Sequence, residues 1–463
     1  MIPRSQTTRN RGGEPRSIGR KIDFPPYISE PKPICFQPCQ FRVHDVSHRF
    51  ALDVIKSAFT WKRTKRPQQE QALEALICAL HHARDHGRPL AVHMTKSAYT
   101  RTKATARYWP RYYTYNYIRH AVLELERLGY IIRQRGYRDE NTGTGHLTKL
   151  FVTPALEDLF PIEFTATPHE LIVLRVNLDE NRKKGRRKQT KNIAYTDNAY
   201  TKSKRHWLTE RNAFMRDFEC TIDGRRINSD LYSVHSRGDW NAHGRFYDLP
   251  GGYMSLPKTQ RDRILINGQR TDEPDFPAHH ITLAYMLEGL PVHDNPYEFV
   301  AEHLGVCPED FRPAIKAVIN MALNAESDTE TIRAFNKKQY LARRNRYNCK
   351  KRLKALKLAH AMYRAELTPQ AILQAARNMH APIAHYFGAD KGIELMHHDS
   401  EIMRNILSEL MAENNPALPV HDSIRVMTKD TDPVWQLMRK HRAAYVAEYR
   451  RQAELSLRPV LAS

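Results

Sequence analysis

Nowhere in its 463 residues does the chain carry the run of about 18 apolar residues that a membrane-spanning helix needs. Cysteine is sparse, with six in all, too few at this length for a disulfide framework. Cys35 and Cys39 form the one close pair, and no second pair follows to complete a zinc site. The thiols read as reduced, which fits a cytoplasmic protein. No internal repeat is visible in the second half of the chain. Acidic residues are in deficit: 51 Asp and Glu face 73 Lys and Arg, a formal net charge of +22. An excess of that size favours a polyanionic partner, of which nucleic acid is the commonest. What is present is apolar enough for real cores, at 41% hydrophobic, so the chain is not of the disordered class. Its length fits about two to four domains.

Residues 1–45 are rich in Pro, Gly and Arg without a sustained period, and are expected to form a basic disordered arm. From about 47 to 85 the pattern is helical: Ala72, Leu73, Leu76, Ile77 and Leu80 recur at three- and four-residue spacing. Thr114 is placed to cap a helix whose apolar face is Ile118, Val122, Leu125 and Leu128, and Gly129 stops it. Two extended runs follow, Tyr130 to Arg135 and Leu147 to Val152, separated by a polar, glycine-bearing loop. Helix then hairpin is the order of a winged helix-turn-helix, and residues 46–160 are assigned to such a DNA-binding domain. Tyr115, Asn116, Arg119 and His120 on the helix, and Arg133, Arg135 and Arg138 near the wing, are residue types that suit base edges and phosphates. Residues 161–200 are expected to be a basic linker, because seven of the ten residues 182–191 (RKKGRRKQTK) are basic. Residues 201–463 read as one large mixed unit.

Three segments of that unit carry chemistry. Asn267-Gly268 is a strong hairpin signal, and the strand after it runs toward Asp275, which falls where a strand ends and a helix begins. A carboxylate there can hold a metal in an open cleft. In residues 311–325, Pro313 suits a first helical turn, and Arg312, Lys316, Asn320 and Asn324 are spaced by four and share one helical face. In residues 418–426, apolar side chains flank a His421-Asp422 pair in a strand-like run. A buried Asp beside a His is costly unless a metal or hydrogen bonds compensate it.

In this order the segments resemble motifs A, B and C of the superfamily of family A DNA polymerases and single-subunit phage-type RNA polymerases. Asp275 stands in motif A, Arg312 and Lys316 in motif B, and His421, Asp422 and Ser423 in motif C. A fourth segment, GDWNAHGRFY at 238–247, is similar to the one those enzymes carry upstream of motif A, with Arg245 in the Gly-Arg position. The similarity covers roughly residues 225–430, and the layout also resembles compact polymerase-like proteins of bacterial mobile elements.

The resemblance implies an α+β protein with a right-hand-like polymerase palm and helical fingers and thumb elements, preceded by the winged helix-turn-helix domain. It implies two magnesium ions, or manganese, bridged by Asp275 and Asp422, with Arg312 and Lys316 on the triphosphate and Lys316 able to protonate the leaving group. It places Arg245 against the nucleic-acid backbone or minor groove and has His421 buttress the turn. Partners would be a DNA template and primer with nucleoside triphosphates. The sequence departs from both classes at His280, where the DNA polymerases carry Glu and the RNA polymerases a small residue. Asn324-Ala325 replaces their Tyr-Gly pair, and Asn320 replaces a bulkier side chain. The expected activity is DNA synthesis for a plasmid, phage or integrated element. A primase or small RNA polymerase is one alternative, and a non-catalytic DNA-binding protein with a polymerase-like shell is the other. Between motifs B and C, residues 336–357 hold ten Lys and Arg with Tyr340 and Tyr347 interleaved, a pattern that suits phosphates and base stacking.

Overall fold

The computed structural model describes residues 32–36, 39–43, 46–61, 65–138, 145–158, 164–178, 190–344 and 349–457. Most of the expected basic arm, residues 182–189 of the basic linker, the tip of the wing loop and Tyr347 lie outside the described residues. The chain is a mixed α+β protein of two compact units. The first comprises residues up to 169 apart from 103–107, and the second comprises 103–107 with 170–463. No helix among the described residues is long and apolar enough to cross a membrane.

In the first unit the single helical stretch expected from 47 to 85 is two helices, Val46–Ala58 and Arg66–Asp85. All five periodic apolar positions of the second, Ala72 to Leu80, are fully buried. Helix Tyr115–Arg127 begins as its capping residue dictates: Thr114 is extended and its hydroxyl accepts from the Tyr117 N–H. Ile118, Val122 and Leu125 face the core. The hairpin behind it pairs Ile131–Gln134 with Thr148–Val152, antiparallel, from Ile131 opposite Val152 to Gln134 opposite Lys149. That pair extends into a four-stranded sheet with Leu90–Val92 and Ile34–Cys35.

The second unit holds two larger sheets and most of the helices. The first sheet orders strands Thr190–Asn192, Ile172–Asn177, Leu231–His235 and His243–Asp248. This corrects the linker assignment: parts of 161–200 are integral strands. Ile172, Val173 and Leu174 are buried, an apolar run that the cations following it obscure in the sequence. The second sheet has six strands, ending in the order Ile264–Ile266, Gln269–Asp272, Ser423–Met427, Leu418–Val420. Its first hairpin turns on Asn267 and Gly268, at φ 49° and 73°, the doubly positive geometry of a two-residue turn that Asn-Gly favours. Around these sheets pack the helices His279–Leu287, Pro308–Leu323, Pro369–Met379 and Gly392–Ala412, whose buried faces build the largest core.

Candidate active site

The site is set by one antiparallel register. Thr271 lies opposite Met427 and Asp272 opposite Val426. Pro274 has no N–H to give and interrupts the ladder, yet its carbonyl accepts from Ile424 at 3.1 Å. Pairing resumes in the same register at a single bridge between Asp275 and Ser423. Asp275 is thereby fixed across from the residue that follows Asp422, although the two carboxylates are 147 residues apart in sequence (275 to 422). Burial and the neighbouring charge of Asp422 push the Asp275 carboxyl up from its usual range, while Lys316 and His279 pull it down.

Beneath the carboxylates the two strands are clamped. In this register Glu273 lies opposite Arg425, which is completely buried. Arg425 donates to Glu273 at 2.8 Å, to Asp262 at 2.9 Å and to the Thr271 carbonyl at 3.0 Å. Arg261 grips Glu273 from the other side at 2.6 Å. Burial works to raise Glu273, but the hydrogen bonds and charges of Arg261 and Arg425 outweigh it and bring it down to about 2.

His421 and Asp422 are not inside a strand, as the apolar flanks suggested. They form the two-residue turn between Leu418–Val420 and Ser423–Met427, where Val420 pairs with Ser423. His421 sits at φ 59°, a left-handed conformation that a side chain rarely adopts and that clusters at functional sites. The turn leaves Asp422 half-buried at the tip, where the expected cost of a fully buried Asp does not arise. The His421 ring lies 5.9 Å from Tyr247, edge to face, and its Nδ1 is buried without a hydrogen-bond partner among the described residues. Burial and Arg245 hold its pKa down.

Helix Pro308–Leu323 presents the expected polar stripe but starts five residues early. Pro308 occupies the first turn, Glu309 and Asp310 favour the positive end of the helix, and Pro313 falls inside. The early start lets Phe311 enter the core. Arg312 and Lys316 are exposed, and Asn320 is half-buried. Tyr297, a residue the sequence did not single out, lies beneath both cations: Arg312 at 5.4 Å and Lys316 at 5.9 Å from its ring. Arg312 also pairs with Glu298 at 3.5 Å. Asn324 does not extend the stripe. It ends the helix, and its amide donates back to the Asn320 carbonyl at 2.7 Å.

Arg245 is engaged within the fold. Its guanidinium donates to Asp399 at 2.7 Å and to His280 Nε2 at 3.1 Å. Asp399 also faces His279 at 3.2 Å and is buried. Burial opposes its ionisation, but Arg245 and His279 overcome that and hold it well below the usual carboxylate range. Arginine can only donate, so the Nε2 of His280 must accept and its proton belongs on Nδ1. Burial first, then Arg245, lowers His280 to about 3, so it is neutral at ordinary pH. Gly244, next to Arg245, is where helix Gly392–Ala412 comes close: a Cβ there would stand 2.7 Å from Ser400 Oγ. The signal for that helix was the run His397-His398-Asp399-Ser400-Glu401, five polar residues in succession and all buried.

In the first unit the expected nucleic-acid contacts divide. Asn116, Arg119 and Arg135 are exposed. Tyr115 packs against the core and lies 6.2 Å from Tyr99. It precedes Ile118 by three and shares that apolar face, which the residue type obscured. His120 stands edge-on to Phe59 at 5.6 Å. Arg133 is bound to Glu126 at 2.7 Å and is largely covered.

Asp275 and Asp422 with Lys316 thus form the one constellation of expected site residues that the fold gathers around an open carboxylate pair. Among the described residues no group of three or more His, Cys, Asp and Glu is placed to hold a metal ion. A carboxylate pair nonetheless fits magnesium, which keeps several waters and is commonly held by one or two carboxylates plus substrate phosphates. The chain matches no family model, and no curated protein matches it in sequence.

Proposed function

We propose that the protein is a template-directed nucleotidyltransferase, a DNA polymerase with a right-hand-like palm, acting at Asp275 and Asp422. The observation that carries the reading is the Asp275–Ser423 bridge, which brings Asp275 opposite the residue that follows Asp422, within reach of the charges of both Asp422 and Lys316. Mutual repulsion makes such a pair a ready cation site. Magnesium, or manganese, bound there would stabilise the charge on attacking and leaving oxygens of an in-line displacement. Lys316 supplies positive charge beside the carboxylates and a proton for the departing pyrophosphate. Arg312 and Lys316, rooted on Tyr297, offer the triphosphate two cations one helical turn apart. Arg245 serves as a fixed point from which His280 is oriented. In the first unit, the capped helix and basic hairpin support a winged-helix reading, with Asn116, Arg119 and Arg135 as the residues free to meet DNA.

Primer extension with dNTPs and NTPs in parallel tests the proposal. Asp275→Ala and Asp422→Ala should each abolish extension while nucleic-acid binding persists. Extension of NTPs alone moves the reading to an RNA polymerase or primase. A wild-type chain that binds DNA and extends nothing sinks the enzyme reading and leaves a DNA-binding protein with this shell.

A further inference from the structure

Between Thr331 and Ala365 the sequence holds twelve Lys and Arg and not one Asp or Glu, more than half of the chain's net +22. The basic segment forms a pair of helices, a hairpin, in which Asp328–Arg343 and Cys349–Arg364 pack against each other. Lys350, Arg352, Lys354 and Lys357 are exposed along the second helix. Apolar and aromatic side chains stand exposed among them, Tyr363 at 83% and Leu353 at 54%. Exposed apolar side chains gathered in one place mark interaction surfaces. Near the base of the hairpin a groove of about 460 Å³ opens between the helices. Phe335, Asn336, Gln339, Met362 and Tyr363 line it, with Arg343 and the carboxylate of Glu366. The Gln339 Oε1 is shielded there with no hydrogen-bond partner among the described residues.

We propose that this hairpin is a binding arm for single-stranded nucleic acid, with phosphates along the cations and one unpaired base in the groove beside Tyr363. Charge complementarity names the polyanion. The groove narrows the choice to a single strand, because only an unpaired base can offer its face to an aromatic ring and its edge to amides such as Asn336 and Gln339. An anionic membrane would use the leucines and the charge but has no planar ring to stack against Tyr363 in the groove. The arm is separate from the Asp275 and Asp422 chemistry and would serve a catalytically silent protein equally well.

Equilibrium binding of the full chain to a labelled 16-nucleotide single strand, to a duplex of the same length and to phosphatidylserine vesicles tests it, without nucleotides or metal. The quadruple variant Lys350→Gln, Arg352→Gln, Lys354→Gln and Lys357→Gln changes only exposed side chains, and its melting temperature should match the wild type. Its plot of log affinity for the single strand against log salt should be shallower by about 3, at roughly 0.7 per lost phosphate contact. Tyr363→Ala should weaken single-strand binding about 5- to 150-fold and leave duplex binding unchanged. A wild-type slope and affinity in the quadruple variant overturn the arm. Equal weakening of single strand and duplex by Tyr363→Ala, or no weakening, overturns the base seat. Loss of vesicle binding with intact oligonucleotide binding replaces the partner with a membrane.

Discussion

Arg425 shows how much one buried cation can organise. It is enclosed, and it joins Thr271, Asp262 and Glu273 across the strand pair that presents the two aspartates. Arg425→Ala leaves Glu273 a buried charge with one of its two arginines, and should cost about 3–5 kcal/mol in denaturant unfolding. Glu273 also sets an acid limit. Its folded pKa, about 2, is below the ordinary glutamate value of 4.5, so its stabilisation is complete above pH 4.5 and drains away as pH falls toward 2. Glu401, lowered to about 2 because Lys204 and Arg404 outweigh its burial, acts in the same window and direction. An acid titration of stability that stays flat through this window would contradict both assignments. His280 gives a different expectation under the proposed function. Titrating near 3, it stays neutral from pH 6 to 9, so the ratio of NTP to dNTP incorporation should not change across that range. That ratio should be measurable in the wild type and should fall in His280→Glu. Rejection of NTPs by ten-thousandfold would place the sugar gate at another residue.

At the level of elements, local chemistry was the part the sequence displayed. Thr114, the Asn267-Gly268 turn and the apolar faces of 72–80 and 118–125 state their structures within a few residues, and each lies where its spacing demands. Thr114→Ala, by removing the cap of helix Tyr115–Arg127, should cost about 1 kcal/mol, read as a lower melting temperature. Asp275, Asp422, Arg312 and Lys316 were visible as motifs, and the first two are gathered by the fold. What stayed hidden depends on partners far along the chain. Nothing near Arg245 announces Asp399, which arrives from 154 residues away. The helix start at Pro308, with Glu309 and Asp310 behind it, was a local signal too, but Pro313 suits a first turn equally well, and the choice rests on where Phe311 finds a core. Strands 172–177 and 190–192 were masked by the charge between them, and Tyr115 looked like a reader of bases until its register with Ile118 was taken into account.

Across the whole molecule, the charge of +22 should make nucleic-acid affinity collapse with salt, by about a thousandfold or more between 50 and 200 mM if six or more phosphates are neutralised. A weak dependence would separate the charge from any binding role. The Asp275–Ser423 bridge has a consequence of another kind, in time. A growing chain folds from its N-terminus as it is made. When Asp275 emerges, the strand that will face it does not yet exist, and helices such as Pro308–Leu323 and Gly392–Ala412 must be synthesised before it does. A ribosome halted at residue 417 would hold a chain with most of its core sequence and only one carboxylate of the pair. Whatever the two aspartates do, no nascent chain can do it early: the fold withholds the site until strand Ser423–Met427 has been delivered.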